Sequence, residues 1–393
     1  MSENRRAGER ALEHIRCLAG EIGARPAGSP AEDQARQYVA EKLRGWGYSL
    51  EKQIVHFPPD KSSWQALPFG LALLLAAWLL PIFPWLCLGL PILFAAMPEL
   101  SRRVQRSLPR TAQSENLLAF RQEISPGAPT LILCAHLDSA PAIAFQARNL
   151  RWLYHRTLDI LQRTAFALAA LALVAIMGIS LPFGLQITCG VAGTLAAGWL
   201  ALVEVCNSRV WPRRYSPGAN DNASGVGALL ELAEDYAKSK TRGINLSFLF
   251  TTAEETGAQG ADAFLSTTRQ QHLPCACLCL DMVGAGDALR YVSKDGLFWA
   301  VRTDDRLNSL IRKVCPSAKG LWTIHKSGDA AAFVRAGFPA TEIQVSGSRE
   351  AELAYHSLDD AVEGIEKTAL AMCIETVWGV IVALEKQGEV WPQ

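Results

Sequence analysis

Histidine and carboxylate side chains recur in this sequence directly after segments that are predicted to be strands. His136 and Asp138 follow the apolar segment LILCA, Glu254 and Glu255 follow FLFTTA, and Asp281 follows CACLCL. Asp221 in GANDNASG is expected at a further strand-to-loop transition, and His356 in AYHSLDD comes from a later loop. Imidazole nitrogens and carboxylate oxygens are ligands that zinc takes in proteins. The pattern therefore indicates a metal site that is assembled from distant parts of the chain.

Such a site needs elements that bring its members together, and the hydrophobic pattern supplies them. Apolar or alternating segments predict strands, and amphipathic segments between them predict helices near 225–237 and 260–268. The predicted strands cover 48–55, 116–120, 130–135, 244–251 and 275–280. Alternation of this kind predicts an α/β fold, a three-layer α/β/α sandwich with a mostly parallel central sheet. Its functional site is expected where the strands end.

Helix signals at the two ends of the chain extend this pattern. Ser29-Pro30-Ala31-Glu32 forms a capping box with proline at the first helical position, which predicts a helix start. Near the C-terminus, apolar residues recur through 364–386 around Glu375. That segment is interpreted as an amphipathic packing helix rather than a membrane span.

Two long uncharged segments interrupt the polar sequence, at 64–97 and 164–203. Both exceed the length of a core helix, and lipid is the natural solvent for such segments. The second segment divides at a turn near 178–184 and contains GVAGTLAAG, whose small residues suit close helix packing, so it predicts a transmembrane hairpin. Prolines divide the first into halves of about 17 residues, or about 25 Å. A tight hairpin, a shallow re-entrant pair and one kinked span all remain open for it.

Basic residues flank both uncharged segments on both sides, while the central turns carry no charge. They include Lys61, Arg102, Arg103, Arg163, Arg209, Arg213 and Arg214. Basic residues favour the cytoplasmic side, so both ends of each segment are expected there, with an even number of crossings. The alternative is a hydrophobic lid or dimer interface on a soluble protein, which would expose an aggregation-prone surface.

Composition excludes several functional classes. Lysine plus arginine and aspartate plus glutamate both total 38, so no net field attracts nucleic acid. The ten cysteines include no C-x-x-C pair, and the polar N-terminus lacks a signal segment, so a disulfide framework is not expected. Cys275, Cys277 and Cys279 alternate and would lie on one face of a strand. They are interpreted as buried core residues, and a thiolate metal site is the alternative. No G-x-S-x-G elbow or Walker-type phosphate loop occurs.

The motifs AHLDS, GANDNASG, TTAEETG, DMVG and AYHSLDD, in this order, resemble those of the co-catalytic zinc aminopeptidase family. That family includes bacterial leucyl aminopeptidases, glutamate carboxypeptidases and glutaminyl cyclases. The N-terminal segment IGARPAGSPAEDQARQYVAEKLRGWGY is also similar to the opening helices of the family. The resemblance covers about 1–60, 112–145 and 210 to the C-terminus.

The resemblance implies two zinc ions and a role for each matching residue. His136, Asp221 and Asp281 would hold one ion, and Asp221, Glu255 and His356 the other, so Asp221 would bridge them. Asp138 would orient His136, and Glu254 would be the general base that takes a proton from water and returns it to the leaving amine. Adjacent residues leaving a strand point in different directions, which explains how two neighbouring glutamates can have different roles.

The sequence departs from the family in two places. The second uncharged segment lies within the 84 residues between His136 and Asp221, where relatives have a short connection. A membrane hairpin there is expected to shape the mouth of the cleft. In SGDAAAF, from Ser327 to Phe333, Asp329 matches the family but Ala330 replaces its histidine. His325 lies nearby and is interpreted as a solvated loop residue.

Together these features predict a membrane-anchored metallopeptidase, an aminopeptidase acting on peptides through a di-zinc-activated water. Its catalytic domain would comprise 1–60, 105–160 and 206–393, with transmembrane hairpins at 62–100 and 164–205. We expect an integral membrane protein in the lipid bilayer, with the catalytic domain in the cytoplasm. The alternatives are a glutaminyl cyclase or carboxypeptidase that uses the same metal centre, or a non-catalytic membrane scaffold that retains the fold. Neither the oligomeric state nor the substrate side chain follows from the sequence.

Overall fold

A computed structural model describes residues 3–59, 66–121, 128–145, 148–206, 214–239, 243–271, 275–296, 300–323 and 328–388. Several residues that stand out in the sequence lie outside these ranges: Lys61, Trp64, Arg209, Arg213, His325 and Ser327.

The strands of the described residues form one nine-stranded sheet with the order β1-β2-β4-β3-β5-β9-β6-β7, and β8 pairs with β6. Their bounds are β1 Ser49–Phe57, β2 Ala112–Phe120, β3 Thr130–His136, β4 Asn245–Thr251, β5 Cys275–Leu280, β6 Ala288–Asp295, β7 Val301–Arg302, β8 Lys319–Thr323 and β9 Ala340–Ser346. The four central strands β4, β3, β5 and β9 are parallel, whereas β1, β2 and β7 pair antiparallel with their neighbours and β6 runs antiparallel to β9. The sheet is therefore mixed, with a parallel centre.

Helices cover both faces of this sheet, which confirms the predicted α/β fold. The helices in the described residues are α1 Glu3–Ile15, α2 Pro30–Gly45, α3 Ala66–Leu79, α4 Trp85–Ser107, α5 Arg148–Ile176, α6 Phe183–Cys206, α7 Ser224–Lys238, α8 Gln259–Gln271, α9 Asp305–Val314, α10 Asp329–Arg335, α11 Arg349–Ala354 and α12 Lys367–Gln387. The core on one face includes α1, α2, α7, α9 and α12. The core on the other face includes α8 and α10.

Alternating side chains of the central strands divide between these two cores. On β3, Leu131 and Leu133 belong to the first core, whereas Ile132 and Cys134 belong to the second. The second core also contains all three β5 cysteines, and the sulfurs of Cys277 and Cys279 lie 3.7 Å apart. A strand covered on both faces has no polar side, as its continuous apolar sequence predicts.

The start of α2 differs in detail from the predicted capping box. The Ser29 side chain accepts a hydrogen bond from the Glu32 N–H, as expected for an N-cap. The Glu32 carboxylate, however, accepts the Gly28 N–H and the hydroxyls of Ser114 and Thr252. Glu32 therefore joins the N-terminus of α2 to the segment that follows β4.

Helices α3 to α6 form a separate group with its own hydrophobic cluster. The first uncharged segment has two helices joined by a short turn, and the Cys87 thiol on α4 donates to the Ala76 carbonyl on α3, 3.2 Å away. Residues this far apart could not meet in one kinked helix, so the structure excludes the single kinked span and leaves the tight hairpin and the shallow re-entrant pair as alternatives. The uncharged parts of α3 and α4 each span about 20 Å, less than a hydrocarbon core of about 30 Å.

The two hairpins pack through small residues. A Cβ at Gly190 on α6 would lie 2.7 Å from the Trp78 ring, and one at Gly193 would lie 2.6 Å from the Ala77 Cβ. Glycine has no Cβ and therefore permits this close approach. Small residues at such contacts are typical of helix pairs in lipid. The glycine-containing segment GVAGTLAAG therefore contacts α3 closely.

The outer surface of this helix group is apolar. Among the described residues, every large hydrophobic side chain that is exposed lies between Leu71 and Val205, apart from Ile54 and Trp322. Three described helices are long and apolar enough to cross a membrane, namely the segment from Leu150 in α5, together with α6 and α12. Of these, α12 packs in the sheet core against α1, α7 and α9.

Candidate metal centre

Three parallel strands deliver site residues to the same edge of the sheet. His136 ends β3, Glu254 and Glu255 follow β4, and Asp281 directly follows β5. In the strand register, His136 pairs with Thr251 and Cys134 with Cys279, so the three strands end side by side. These side chains meet because the carboxyl ends of parallel strands share one edge.

The other two candidates come from turns instead of strand ends. Asp221 lies in the irregular turn Ala219–Ala223 that precedes α7, and not at a strand-to-loop transition as the sequence pattern predicted. His356 follows α11. The segment carrying Asp221 is joined to the loop after β3 by the bridge between Pro141 and Tyr215.

One group of potential ligand atoms surrounds His136. Its Nε2 lies 3.3 Å from Oδ1 of Asp221 and 3.6 Å from Oδ1 of Asp281. A second group surrounds His356, whose Nε2 lies 3.2 Å from Oδ2 of Asp221 and 3.3 Å from Oε2 of Glu255. Asp221 thus turns one oxygen to each histidine, which places its carboxylate between the two groups.

These separations fit metal binding. Nitrogen and oxygen ligands about 2.0–2.2 Å from a tetrahedral zinc ion lie about 3.3–3.6 Å from each other. Within each group, all the ligand atoms lie within 4.8 Å of one another. A third grouping joins His136 to Glu254 and Glu255, so the Glu254 carboxylate also lies beside the centre.

Hydrogen bonding within the centre leaves several buried atoms unsatisfied. Among the described residues, no group forms a hydrogen bond with His136 Nε2, His356 Nε2, Glu255 Oε1 or Asp281 Oδ1. Buried polar atoms are rarely left without a partner, because each costs about 1–3 kcal/mol. All four belong to predicted ligands, so bound cations would satisfy the atoms that the protein itself does not.

The charge balance of the centre leads to the same conclusion. Burial opposes charge on His136 and His356, but the surrounding carboxylates outweigh it, raising the pKa of His136 well above its ordinary value and that of His356 to about 9. Burial also opposes ionisation of Asp221, but the positive charge of the two adjacent histidines holds its pKa below its ordinary value. For Glu254, burial raises the pKa well above normal. The carboxylates therefore require positive charge from protons or metal ions.

Asp138 is fully buried and contacts both sides of the centre. Its two carboxylate oxygens accept the N–H groups of Glu254 and Glu255, each at 3.1 Å. His136 Nδ1 lies 3.0 Å from the Asp138 backbone carbonyl and 3.6 Å from its carboxylate. Asp138 therefore orients the two glutamates through its side chain and His136 mainly through its backbone.

Left-handed backbone conformations occur at or beside three of these residues. Ala253, Met282 and His356 have φ values of 55°, 53° and 52°. This conformation costs a residue with a side chain about 1–2 kcal/mol. Such strain is common at functional sites, where the surrounding structure fixes an otherwise unfavourable geometry.

Two further residues support the centre but were not assigned a role from the sequence. Asp360 accepts the N–H groups of Asn220 and Asp221, at 2.8 and 3.1 Å. Arg25, which is fully buried, donates to five backbone carbonyls, those of Leu18, Gly23, Leu137, Pro217 and Gly218. Arg25 thus fixes the segments that follow β3 and precede Asp221. Two features of the sequence could have indicated these residues. Asp360 is the second aspartate of HSLDD, and Arg25 is an arginine in the Gly/Pro-rich segment IGARPAGSP.

Asp329, the matching residue in SGDAAAF, lies at the start of α10 behind the centre. Its Oδ2 accepts the Thr251 hydroxyl at 2.6 Å, and its Oδ1 has no hydrogen-bond partner within the part of the chain that the structure describes. Ala330, which stands where relatives have histidine, is buried in the core with Phe333. His325 lies outside the described residues. Of the described residues of this motif, Asp329 is the polar one near the centre.

Known proteins share this fold and part of this sequence. A model of peptidase family M28 matches residues 206–381. A leucine aminopeptidase precursor from Bacteroides thetaiotaomicron superposes with a TM-score of 0.56 at 16% identity, covering 95% of this chain and 96% of that one. The aminopeptidase from Aneurinibacillus sp. strain AM-1 gives 0.54 at 15% identity, with 98% and 94% covered. Glutaminyl cyclase from Porphyromonas gingivalis gives 0.54 at 14% identity, with 96% and 98% covered.

These similarities confirm the resemblance that the five motifs indicated. The structural matches establish the fold, and the family model links the C-terminal half of the chain to peptidases. No curated protein matches the sequence of the chain.

Proposed function

We propose that this chain, whose residues 206–381 match peptidase family M28, is a membrane-anchored aminopeptidase that holds two zinc ions. His136, Asp221 and Asp281 would bind one ion, and Asp221, Glu255 and His356 the other. The observation that carries the proposal is the placement of Asp221, which turns one oxygen toward each histidine. A bridging carboxylate needs this arrangement, whereas a residue that binds one ion does not.

Zinc at this centre would lower the pKa of a bound water from about 15.7 toward 7 and stabilise negative charge on the carbonyl oxygen of the scissile bond. The chain supplies the proton transfers. Glu254 lies within the group of His136 and Glu255, and its carboxylate would accept the proton of the attacking water. The same carboxyl group would then give the proton to the amine nitrogen as the C–N bond breaks.

The position of Glu254 is set by its neighbours. Asp138 binds the backbone N–H groups of Glu254 and Glu255 together, so the two side chains cannot exchange positions without breaking both bonds. The raised pKa of Glu254, caused by burial, makes its carboxylate a stronger proton acceptor than an exposed glutamate. One glutamate would therefore act as a ligand and its neighbour as a base.

The membrane anchor rests on a separate set of observations. The four helices α3 to α6 share a hydrophobic cluster and carry nearly all the exposed large apolar side chains of the described residues. We assign 62–100 and 164–205 to two inserted hairpins, and 1–60, 105–160 and 206–393 to a catalytic domain in the cytoplasm. The basic residues that flank each hairpin support this orientation.

The test compares peptides that differ only at their amino terminus. Purified protein in detergent, supplied with zinc, is incubated with free-amine, acetylated and N-terminal glutaminyl forms of one peptide. We expect release of the first residue from the free-amine form and none from the acetylated form, with loss of activity after chelation and recovery on adding zinc. Equal cleavage of the acetylated form would contradict an aminopeptidase.

The glutaminyl peptide tests the second candidate function. Structural similarity to glutaminyl cyclases at a TM-score of 0.54 makes cyclisation the main alternative chemistry. If the chain is a cyclase, that peptide loses ammonia and keeps its residue count. Mass spectrometry of the products distinguishes the two reactions directly.

A further inference from the structure

A cleft of about 630 Å³ lies beside the proposed metal centre, and part of its wall comes from α5. Trp152, His155 and Arg156 of α5 line it, opposite residues that are close to the predicted ligands. The remaining lining residues are Met282, Gly347, Arg349, Glu352, Leu353 and Tyr355. Met282 directly follows Asp281, and Tyr355 directly precedes His356, so the cleft borders both ligand groups.

Aromatic contacts continue from the cleft wall to the metal centre. The Tyr355 ring stacks on the His356 ring with centroids 3.8 Å apart, and the His155 ring lies 5.9 Å from the Tyr355 ring. On the same helix, Arg151 donates to the Ser357 hydroxyl at 2.9 Å and pairs with Asp359 at 2.5 Å. The loop that carries His356 is therefore held against α5.

The cleft also lies close to the beginning of the apolar part of α5. Arg156 lines the cleft, and the uncharged segment begins at Thr164, eight residues later. At 1.5 Å per residue the two positions are separated by about 12 Å along the helix. The cleft would therefore open within about 12 Å of the hydrocarbon boundary.

The lining side chains suit a peptide at a membrane surface. Trp152 is 47% exposed and offers apolar surface to a substrate in the cleft. Arg156 and Arg349 are exposed, and basic side chains of this kind are attracted to anionic headgroups. Glu352 also lines the cleft, and its negative charge suits the positively charged free amino terminus of a substrate.

We propose that this cleft binds substrates presented at the bilayer surface, namely the free amino-terminal segments of membrane-anchored peptides, and that the first turns of α5 form its selective wall. This inference rests on the proposed aminopeptidase function. An extended peptide spans about 3.3 Å per residue, so about four residues cover the distance from the hydrocarbon boundary to the cleft.

The test uses protein reconstituted into vesicles of phosphatidylcholine and phosphatidylglycerol. The substrates share one amino-terminal sequence and carry a lipid at the carboxyl end after 2, 6 or 14 residues, and each has a lipid-free form of equal length. We expect the anchored six-residue peptide to be cleaved with a kcat/KM at least tenfold above that of its lipid-free form. The anchored two-residue peptide, which spans only about 7 Å, is expected to resist cleavage although its lipid-free form is cut.

Two outcomes separate this inference from the proposed function. If all lipid-free peptides are cleaved but the anchored six-residue peptide is cut no faster than its lipid-free form, the cleft does not face the bilayer and the aminopeptidase function stands. If no peptide is cleaved in either form, the proposed function fails and the inference fails with it.

A pair of tryptophan variants tests the wall itself. Trp152→Ala is expected to raise KM for the anchored six-residue peptide by roughly tenfold, with kcat and zinc content unchanged, because binding surface is lost outside the reacting groups. Trp322→Ala is the matched control, since Trp322 is equally exposed at 47% but lies on β8 at the edge region of the sheet. An unchanged KM in the Trp152 variant, or equal effects of both, would overturn the assignment of this wall.

Discussion

At the scale of single residues, the adjacent glutamates Glu254 and Glu255 show how like charges can share one site. Each receives backbone support from one oxygen of Asp138, and only Glu255 makes the close contact with His356. The motif TTAEETG predicted both residues as members of the site, and the resemblance to the zinc aminopeptidase family implied the separate roles of ligand and base. The separate orientations of the two side chains depend on Asp138, which is more than a hundred residues away in sequence.

Replacing Glu254 with glutamine tests the proposed base. The amide keeps the size of the side chain but cannot accept a proton, so we expect kcat to fall by about 10²–10⁴-fold with zinc content unchanged. Steady-state kinetics and elemental analysis measure the two quantities. Glu41→Gln, an exposed change on α2, is the control. Loss of zinc together with activity would instead identify Glu254 as a ligand.

Asp360 provides a second test at this scale. In Asp360→Asn an amide nitrogen replaces one of the oxygens that accept the N–H groups of Asn220 and Asp221. The Asp221 carboxylate would then be less well oriented, and we expect zinc affinity to fall by roughly 10–100-fold. Competition with a chelator measures this change. Asp305→Asn, on the exposed side of α9, should bind zinc as the unmodified protein does.

At the scale of secondary structure, three of the four strands of the parallel centre were predicted, whereas β9 and the position of Asp221 were not. Continuous apolar segments that end in polar residues identify β3, β4 and β5 together with the edge where their ligands meet. Asp221 comes from an irregular turn held by Arg25 and Asp360, and such long-range contacts leave no local periodicity. The supporting arginine and aspartate were missed for the same reason.

The contact between the first turns of α5 and the His356 loop gives a prediction for this helix. Arg151→Gln removes the ion pair with Asp359 and weakens the bond to Ser357, so we expect lower zinc retention and at least a fivefold lower kcat/KM. Arg151→Lys should recover part of both because it keeps the charge. Arg163→Gln, on the same helix but exposed, is the control. Normal zinc retention in Arg151→Gln would show that α5 does not position this loop.

Helix α1 gives a prediction for acid stability. Burial lowers the pKa of His14 to about 4, from an ordinary value of 6.5, while its Nδ1 lies 2.7 Å from the Tyr38 hydroxyl. Between these values the unfolded chain binds a proton that the folded chain does not, so stability falls as pH falls from 6.5 to 4, by up to about 3 kcal/mol. Above pH 6.5 the contribution is fully present.

The measurement compares the thermal unfolding midpoint of the unmodified protein and His14→Gln in detergent from pH 7.5 to 4.5. Since zinc release affects both proteins alike, the difference between their midpoints isolates His14. We expect the unmodified protein to lose more stability than the variant as the pH is lowered. Parallel curves would show that His14 does not bind this proton on unfolding.

At the scale of the whole molecule, composition predicted the two apolar segments but not how they associate. Helix α3 packs closely on α6, and α4 packs on α5, so each hairpin contacts the other instead of forming an independent unit. Pairing between distant helices depends on complementary surfaces, such as the contact of Gly190 with Trp78. The hydropathy of one segment does not show which other segment it contacts. Length and hydropathy alone would also select α12, which is a core helix of the sheet domain.

The proposed topology predicts which positions label from each side of the membrane. In intact cells, Arg103→Cys and Arg214→Cys should react with a membrane-impermeant thiol reagent only after permeabilisation, because both ends of each hairpin are expected in the cytoplasm. Ile179→Cys, in the exposed turn of the second hairpin, should react from outside. The unmodified protein gives the background from its own ten cysteines. Labelling of Arg103→Cys or Arg214→Cys from outside would contradict this orientation.

The central claim is that residues from the ends of three parallel strands and two turns hold a pair of zinc ions, joined by Asp221. Its most direct test is the zinc content of purified, folded protein, measured for the unmodified chain and for Asp221→Asn after both have been supplied with zinc. We predict two zinc ions per chain in the unmodified protein and loss of both in the variant. Folded protein that binds no zinc, or an Asp221→Asn variant that keeps both ions, would contradict the claim.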